Sequence, residues 1–439
     1  MECIIEGSSS VLQILGKQKE AKTELRMSKY CLTVPVDGGM LLFNILTRQL
    51  LWLTREEYAQ ALSSDYLRTQ WFTVPQEQKE WELAELVRWV HTGLRDKPKH
   101  ITHYTILTTT ACNARCYYCY EQGCTPISMT PETADRVVSY IARSYGGEKV
   151  NLSWFGGEPL MNTPAIDRIS AGLRQQGIDF EAAMTSNAYL FDDDITNRAI
   201  QSWNLKNVQI TLDGTHQVYN RTKAYVYKDT DPYQVVMENI SRLLHAGILV
   251  VIRLNVGHNN GQDLLQLAHT LAERFEGEKR LRVYAHFLFD PQNAQESRYT
   301  REEWAQFREL KSYLQDRGIA AGSKGLGREL PVRHCMADKG NAVVIVPDGH
   351  LGLCEHHAED EFFGHIDASE CDREMIASWQ EPVKTPEACG DCLYFPECTE
   401  LKKCSGNILC NHMALEMRRY ETEQAMLREY HLWRDAKHN

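Results

Sequence analysis

Between residues 102 and 288 the chain alternates strand-like apolar runs with amphipathic stretches, and that alternation leaves few folds open. Strand text stands at 102–109, 149–155, 179–185, 206–212, 249–256 and 281–288. Helical periodicity fills the gaps near 131–145, 164–176, 192–203, 233–246 and 261–275, and a further helix is predicted over 301–318. Antiparallel neighbours need only a tight turn, whereas a parallel pair needs a crossover, usually helical. Repeated strand–helix units therefore predict an α/β protein with a parallel sheet. In such folds the chemistry gathers at the carboxyl ends of the strands.

The first of these strands runs directly into Cys112-Asn-Ala-Arg-Cys116-Tyr-Tyr-Cys119. Three thiolates at intervals of four and three residues can wrap one iron–sulfur cube, and no fourth cysteine belongs to the set. One iron is then left for a ligand from outside the protein. Zinc would want four donors with pairwise CxxC spacing. The arrangement resembles the CxxxCxΦC signature of the radical S-adenosylmethionine (SAM) enzymes. In that family the open iron is chelated by the amino and carboxylate groups of SAM, and an electron cleaves the sulfonium to a 5′-deoxyadenosyl radical. The six βα units match the family's partial (β/α)6 barrel.

Further motifs stand at the expected strand ends. Trp154-Phe-Gly156-Gly157-Glu158-Pro159-Leu160 follows the second strand; glycines allow close backbone approach, and Glu158 can accept bonds from an amine. A plain glycine turn before a helix is the alternative. The stretch resembles the family's GGEP motif, which holds the SAM amino group. Ser186 and Asn187 end the third strand, where related enzymes contact the ribose. Thr211-Leu-Asp-Gly214 with Arg221 resembles the family's S-x-D-G…R stretch. That implies Thr211 and Arg221 on the SAM carboxylate, because Arg binds carboxylates bidentately, with Asp213 bracing the turn. By the same resemblance Asn255 faces SAM and Tyr118 lies near adenine. Cys124, just past the motif, is expected to be a free thiol.

Upstream, 29–37, 39–46 and 49–54 read as three short strands, followed by a helix whose capping box is Thr54 and Glu57 and a longer helix over 76–94. Residues 1–28 read as polar, with a helix around Ser10–Lys22 and no assigned chemistry. The order resembles the small winged-helix domain with which peptide-modifying enzymes bind a leader at a sheet edge; a cap without a ligand is the alternative. Downstream, Cys335 is followed by thirteen residues, Gly349, four residues and Cys354, with a hairpin across Pro347-Asp-Gly349. Then comes Cys389-x2-Cys392-x5-Cys398-x5-Cys404-x5-Cys410. This resembles the SPASM domain, which carries two auxiliary [4Fe–4S] clusters, although an x5 interval replaces the family's x3 before Cys404. The resemblance implies one cluster on Cys389, Cys392, Cys398 and Cys410, and another on Cys335, Cys354 and Cys404. Glu329 stands where that second cluster can have a fourth cysteine, and Cys31 or Cys3 are the remaining candidates to close it. A zinc ribbon is the competing reading, but seven cysteines exceed what one zinc takes.

These boundaries give three expected domains: 1–98 for recognition, 99–325 for the barrel and 326–439 for the auxiliary clusters. A net charge of −11 argues against a nucleic-acid partner held through phosphates. No apolar run reaches the ~18 residues of a membrane span. The start MECIIEGSSS lacks a secretion signal, so a cytoplasmic protein is expected. Together the readings predict a radical SAM/SPASM enzyme that modifies a ribosomally made precursor peptide, with flavodoxin or ferredoxin as external reductant. A cysteine thioether is the expected product, ahead of carbon–carbon crosslinking, epimerisation or the formylglycine formation of anaerobic sulfatase maturases. An iron–sulfur electron carrier or redox sensor is the alternative outside enzymes.

Overall fold

A computed structural model describes residues 1–16, 18, 24–94, 98–123, 125–288, 299–322, 325–331, 335–357, 361–382, 384, 389–404 and 412–438. Cys124 and Cys410 lie outside these residues. The chain forms two compact units, one of Met1–Lys97, Ser323–His334 and Pro382–Asn439, the other of Pro98–Gly322 and Cys335–Glu381. Among the described residues no helix is long and apolar enough to cross a membrane.

The first unit begins with β1 (Glu2–Ile5), α1 (Ser9–Leu15), β2 (Leu25–Met27), β3 (Cys31–Val36), β4 (Gly39–Asn44) and β5 (Gln49–Thr54). It continues through α2 (Arg55–Ala59), α3 (Asp65–Thr69), β6 (Thr73–Pro75) and α4 (Glu80–Leu94). An antiparallel sheet runs in the order β1-β5-β4-β3. Thr54 and Glu57 form the reciprocal cap expected at α2. Strand β1 was hidden in a segment that read as polar; it borrows its register from β5. Leu41, Phe43, Ile45 and Leu50 share one core with Tyr394, Met426 and Tyr430, so the carboxyl-terminal segment is built into this unit. Cys3 and Cys31 pack against a second apolar cluster of Leu42, Leu51, Leu53, Leu67 and Phe72. Cys3 Sγ donates to the Ile5 carbonyl at 3.3 Å. Both thiols thus take part in the apolar packing of their own unit.

The second unit carries the alternation. It comprises β7 (His103–Thr109), α5 (Pro131–Ser144), β8 (Val150–Gly156), α6 (Thr163–Gln175), β9 (Phe180–Ser186), α7 (Asp193–Gln201) and β10 (Leu205–Leu212). Then follow α8 (His216–Lys223), α9 (Pro232–His245), β11 (Leu249–Val256), α10 (Gly261–Arg274), β12 (Leu281–Phe287) and α11 (Arg301–Asp316). The unit closes with α12 (Met336–Lys339), β13 (Ala342–Ile345), β14 (His350–Gly352), β15 (Gly364–His365) and α13 (Arg373–Trp379). Nine strands form one sheet in the order β12-β11-β10-β9-β8-β7-β13-β14-β15. The pairs from β12 to β13 are parallel, giving the expected partial (β/α)6 barrel. The anticipated hairpin forms, β13 with β14, but β13 also extends the barrel sheet beside β7. Helix α8 was not anticipated from the sequence.

Burial alternates along the barrel strands. Val250, Ile252 and Leu254 of β11 are fully buried, so Arg253 and Asn255 project from the opposite, inner face. The same period puts Gln209 and Thr211 of β10, and Tyr284 and His286 of β12, on that inner face.

Candidate active site

The cysteine loop leaves β7 and is fixed by backbone on two sides. On one side Gly157 N donates to Thr109 O at 3.0 Å and Glu158 N to Ala111 O at 2.9 Å. These contacts explain the glycine pair. Gly156 has φ +128°, and a Cβ there would lie 2.1 Å from Thr109 O; at Gly157 it would lie 2.4 Å from Ala111 O. The glycines therefore admit the backbone of the cysteine loop itself. On the other side Arg115 N donates to Lys223 O at 2.8 Å and Val226 N to Asn113 O at 3.0 Å. The end of α8 clamps the loop from that direction.

Glu158 is fully buried. Its Oε1 accepts from Ser186 Oγ at 2.8 Å and Leu160 N at 3.2 Å, and its Oε2 accepts from Asn187 N at 2.8 Å. Burial pushes its carboxyl up to about 7, although those three donors pull the other way. Asn187 extends the chain of contacts: its Nδ2 donates to Asn113 Oδ1 at 2.6 Å and lies 4.0 Å from Cys112 Sγ. Asn113 is missing from the sequence reading, and its buried Nδ2 has no partner. Pro159 is buried and opens a short 3-10 turn whose carbonyl accepts from Thr108 Oγ1 at 3.1 Å.

A second constellation lies at the ends of β10 and β11. Lys223 Nζ contacts Asp213 Oδ2 and the Tyr118 hydroxyl, each at 3.1 Å. Tyr118 donates to Asp213 Oδ2 at 3.0 Å, and Asn255 Nδ2 donates to Oδ1 at 2.8 Å. The side chains of Lys223 and Asp213 are only 4% and 3% exposed. Burial opposes the ammonium, but Asp213 beside it holds its pKa well above the ordinary lysine value. Asp213 is thus not a turn brace, as expected, but one half of a buried ion pair. The brace is Asp263, which accepts from Thr215 N at 2.8 Å and Thr215 Oγ1 at 2.6 Å. Lys223 escaped the sequence reading because it closes α8, the helix that reading lacked.

Tyr118, Asp213, Arg221, Asn255, His258 and Leu288 help line a pocket of about 450 Å³ at this rim, a size usual for small-molecule sites. The Oδ1 of Asn255 is buried without a partner. Arg221 is exposed on the wall. Thr211 is not among the lining residues; it sits on the inner face opposite Arg253.

The donor chemistry of the loop suits an iron–sulfur cube. Cys112, Cys116 and Cys119 are all partly buried. Burial raises the Cys112 thiol to about 12, and Cys116 and Cys119 bear on it electrostatically. Ala114 N donates to Cys112 Sγ at 3.4 Å, the kind of amide contact that stabilises a thiolate. No group of three or more His, Cys, Asp or Glu among the described residues is tight enough for one metal ion. A four-iron cube spreads its thiolates wider than a single ion does. In the first unit, successive turns bring Cys389, Cys392 and Cys398 together: Cys392 N donates to Cys389 O, Phe395 N to Cys392 O, and Cys398 N to Phe395 O. After burial, Cys398 and Cys389 are among the causes that raise the Cys392 thiol. Cys404 also belongs to this unit, whereas Cys335, which caps α12, and Cys354, which follows β14, belong to the other. Glu329 accepts from Ser8 Oγ at 3.3 Å and Ser10 Oγ at 3.4 Å.

Barrel, cysteine loop and rim pocket define the class: residues 106–271 match the radical SAM superfamily, and the chain carries a radical SAM domain. The likeness of fold continues beyond that domain. The anaerobic sulfatase maturase anSMEcpe, solved with bound SAM and the Kp18Cys peptide, is similar with a TM-score of 0.59 and 15% identity, over 76% of this chain and 99% of that one. SuiB of Streptococcus suis, bound to its precursor peptide SuiA, is similar with a TM-score of 0.53 and 12% identity, over 89% of this chain and 98% of the other.

Proposed function

We propose that this radical SAM protein is a peptide maturase that forms a cysteine thioether in a ribosomally made precursor. The observation that carries the reading is the convergence of the Cys112–Cys119 loop, the Gly156–Glu158 turn and the Tyr118–Asn255 pocket on one rim of the barrel. Bound there, a [4Fe–4S] cluster and SAM would supply reductive sulfonium cleavage and a 5′-deoxyadenosyl radical able to take hydrogen from a substrate carbon. Cys112, Cys116 and Cys119 would be the cluster ligands. Gly156 and Gly157 would offer carbonyls to the SAM amino group, with Glu158, Pro159 and Ser186 keeping that turn in place. Asn187, Asn255 and Tyr118 would face the nucleoside, and Thr211 and Arg221 the methionyl carboxylate. Neighbours of this fold crystallised with peptides support a peptide substrate. Residues 29–95 would bind the leader, and a flavodoxin- or ferredoxin-type protein would deliver electrons. Cys389, Cys392, Cys398 and Cys410, with Cys335, Cys354 and Cys404, would hold two auxiliary clusters that take up the electron released on bond formation.

The test is Cys→Ala at 112, 116 and 119 together. 5′-Deoxyadenosine formation should vanish while roughly eight of twelve irons remain, if each cluster is a four-iron cube. Undiminished deoxyadenosine would overturn the assignment. With wild-type enzyme and a precursor peptide, loss of two hydrogens together with one alkylatable cysteine marks a thioether. Loss of two hydrogens with every cysteine still alkylatable marks a carbon–carbon crosslink instead, and solvent deuterium uptake at unchanged bonding marks epimerisation.

A further inference from the structure

Among the described residues, the inner face of the barrel holds a cation without a carboxylate counterion. Arg253 lies two residues before Asn255 on β11, so the two project from one face about 7 Å apart. Arg253 makes no ion pair with any carboxylate among the described residues, and its Nε is buried without a partner. Its Nη2 is 3.3 Å from His286 Nδ1, but that nitrogen is also 2.6 Å from the Phe287 carbonyl. A single nitrogen of a neutral imidazole cannot accept from the guanidinium and donate to the carbonyl at once. The shorter contact puts the proton on Nδ1, so His286 does not satisfy the guanidinium, and the Arg253 Nε stays without a partner. Tyr284, its neighbour in register, donates its hydroxyl to Gln209 Oε1 at 2.9 Å and also hydrogen-bonds the Arg253 guanidinium, a neutral partner that leaves the charge uncompensated. The surroundings are electropositive: desolvation first, then Arg253, Lys311 and His356, lower the pKa of His286.

We propose that Arg253, flanked by His286 and Tyr284, is a subsite for a carboxylate of the peptide substrate. The subsite rests on the peptide-maturase reading. A half-buried guanidinium is costly unless its donors are met, and a carboxylate meets two of them in one plane. The carboxylate belongs to an acidic side chain or to the peptide's carboxyl terminus. From its level below Asn255, the anchor would hold a neighbouring residue of the substrate under the rim pocket. Arg221, on the pocket wall, remains the cation for SAM.

The experiment uses reconstituted enzyme with SAM and three tripeptides: acetyl-Gly-Glu-Gly-amide, acetyl-Gly-Gln-Gly with a free carboxyl terminus, and acetyl-Gly-Gln-Gly-amide. Ligand-observed NMR gives the dissociation constants. At least one anionic peptide should bind about tenfold or more tightly than the neutral amide, and which one does so identifies the source of the carboxylate. Arg253→Gln should erase the preference while iron content and SAM affinity stay at wild-type levels. If Arg253→Gln loses its iron, Arg253→Lys carries the test, because it keeps the charge but not the planar fork; the preference should then fall about threefold or more. Equal binding of the three peptides, binding of none, an undiminished preference in the variant that is read, or a loss of SAM affinity in it would each overturn the subsite. Absence of 5′-deoxyadenosine after dithionite is added to the same wild-type sample would instead sink the radical SAM reading itself.

Discussion

Two buried carboxylates flank the cysteine loop, and they are satisfied in opposite ways. Glu158, behind the β8 end, is met only by neutral donors: two backbone amides and the Ser186 hydroxyl. Asp213, at the β10 end, is met by a full cation, Lys223, as well as by Tyr118 and Asn255. Both are nearly sealed from water. Neutral donors compensate burial only partly, so the Glu158 carboxyl rises to about 7. Beside Asp213 it is the lysine whose proton is held more tightly. One side of the loop is thus proton-sensitive, and on the other a buried ammonium is held in its charged form.

The largest effect should come from breaking the pair. Lys223→Ala leaves Asp213 buried and uncompensated, a defect worth roughly 3–5 kcal/mol. The thermal midpoint should fall by many degrees, and the cysteine loop should loosen, because Tyr118 and the α8 end lose their anchor together. The double variant Asp213→Asn with Lys223→Met should recover much of the loss, since no unpaired charge remains. Equal destabilisation of the single and double variants, measured by denaturant unfolding, would show that the charge is not what matters there.

What the sequence yielded and what it withheld follow the same division. The six barrel strands and their helices were legible because each carries its own period, 2 or 3.6, within a few residues. The cysteine spacing and the Gly156–Glu158 turn were legible for a similar reason: both lie within one short stretch. The Lys223–Asp213 pair was not, since its partners are ten residues apart and meet only through α8, a helix with no strong apolar stripe (Val218 and Tyr219 alone). The glycines were read as room for a ligand, whereas in the fold they admit the Thr109–Ala111 backbone. Contacts between distant strand ends leave no local trace. For the same reason β1 lies in a stretch that reads as polar, and β13 reads as half of a hairpin rather than as a seventh parallel strand.

Glu158 provides the intermediate effect, and its sign follows from the raised pKa. In unfolded chain the carboxyl ionises near 4.5; in the folded protein it keeps its proton to about 7. Stability contributed by the protonated form is complete below 4.5 and is lost as pH rises through 7. Relative to Glu158→Gln, which cannot ionise, cluster-free and SAM-free wild type should lose about 3 kcal/mol across that window and nothing further above it. Urea midpoints of both proteins at pH 4.5, 6 and 8 measure the difference. A flat difference would mean that the three donors already hold the carboxylate ionised, making the two sides of the loop alike.

The smallest effect on stability, and the sharpest for the comparison, concerns Arg221. It lies two residues before Lys223 on α8, yet it is exposed on the pocket wall and makes no ion pair among the described residues. Lys223 is a cation the fold has consumed; Arg221 is one it leaves available. Arg221→Gln should therefore change unfolding free energy by less than about 0.5 kcal/mol, as surface substitutions do. If the guanidinium meets the SAM carboxylate, the same change should weaken SAM about tenfold or more, the worth of a charged hydrogen bond. Equilibrium dialysis of the reconstituted enzyme against labelled SAM reads that shift directly. Unchanged SAM affinity with unchanged stability would remove Arg221 from the site. A bound carboxylate would then need another cation, such as Lys223, whose Asp213 partner it would have to displace or share.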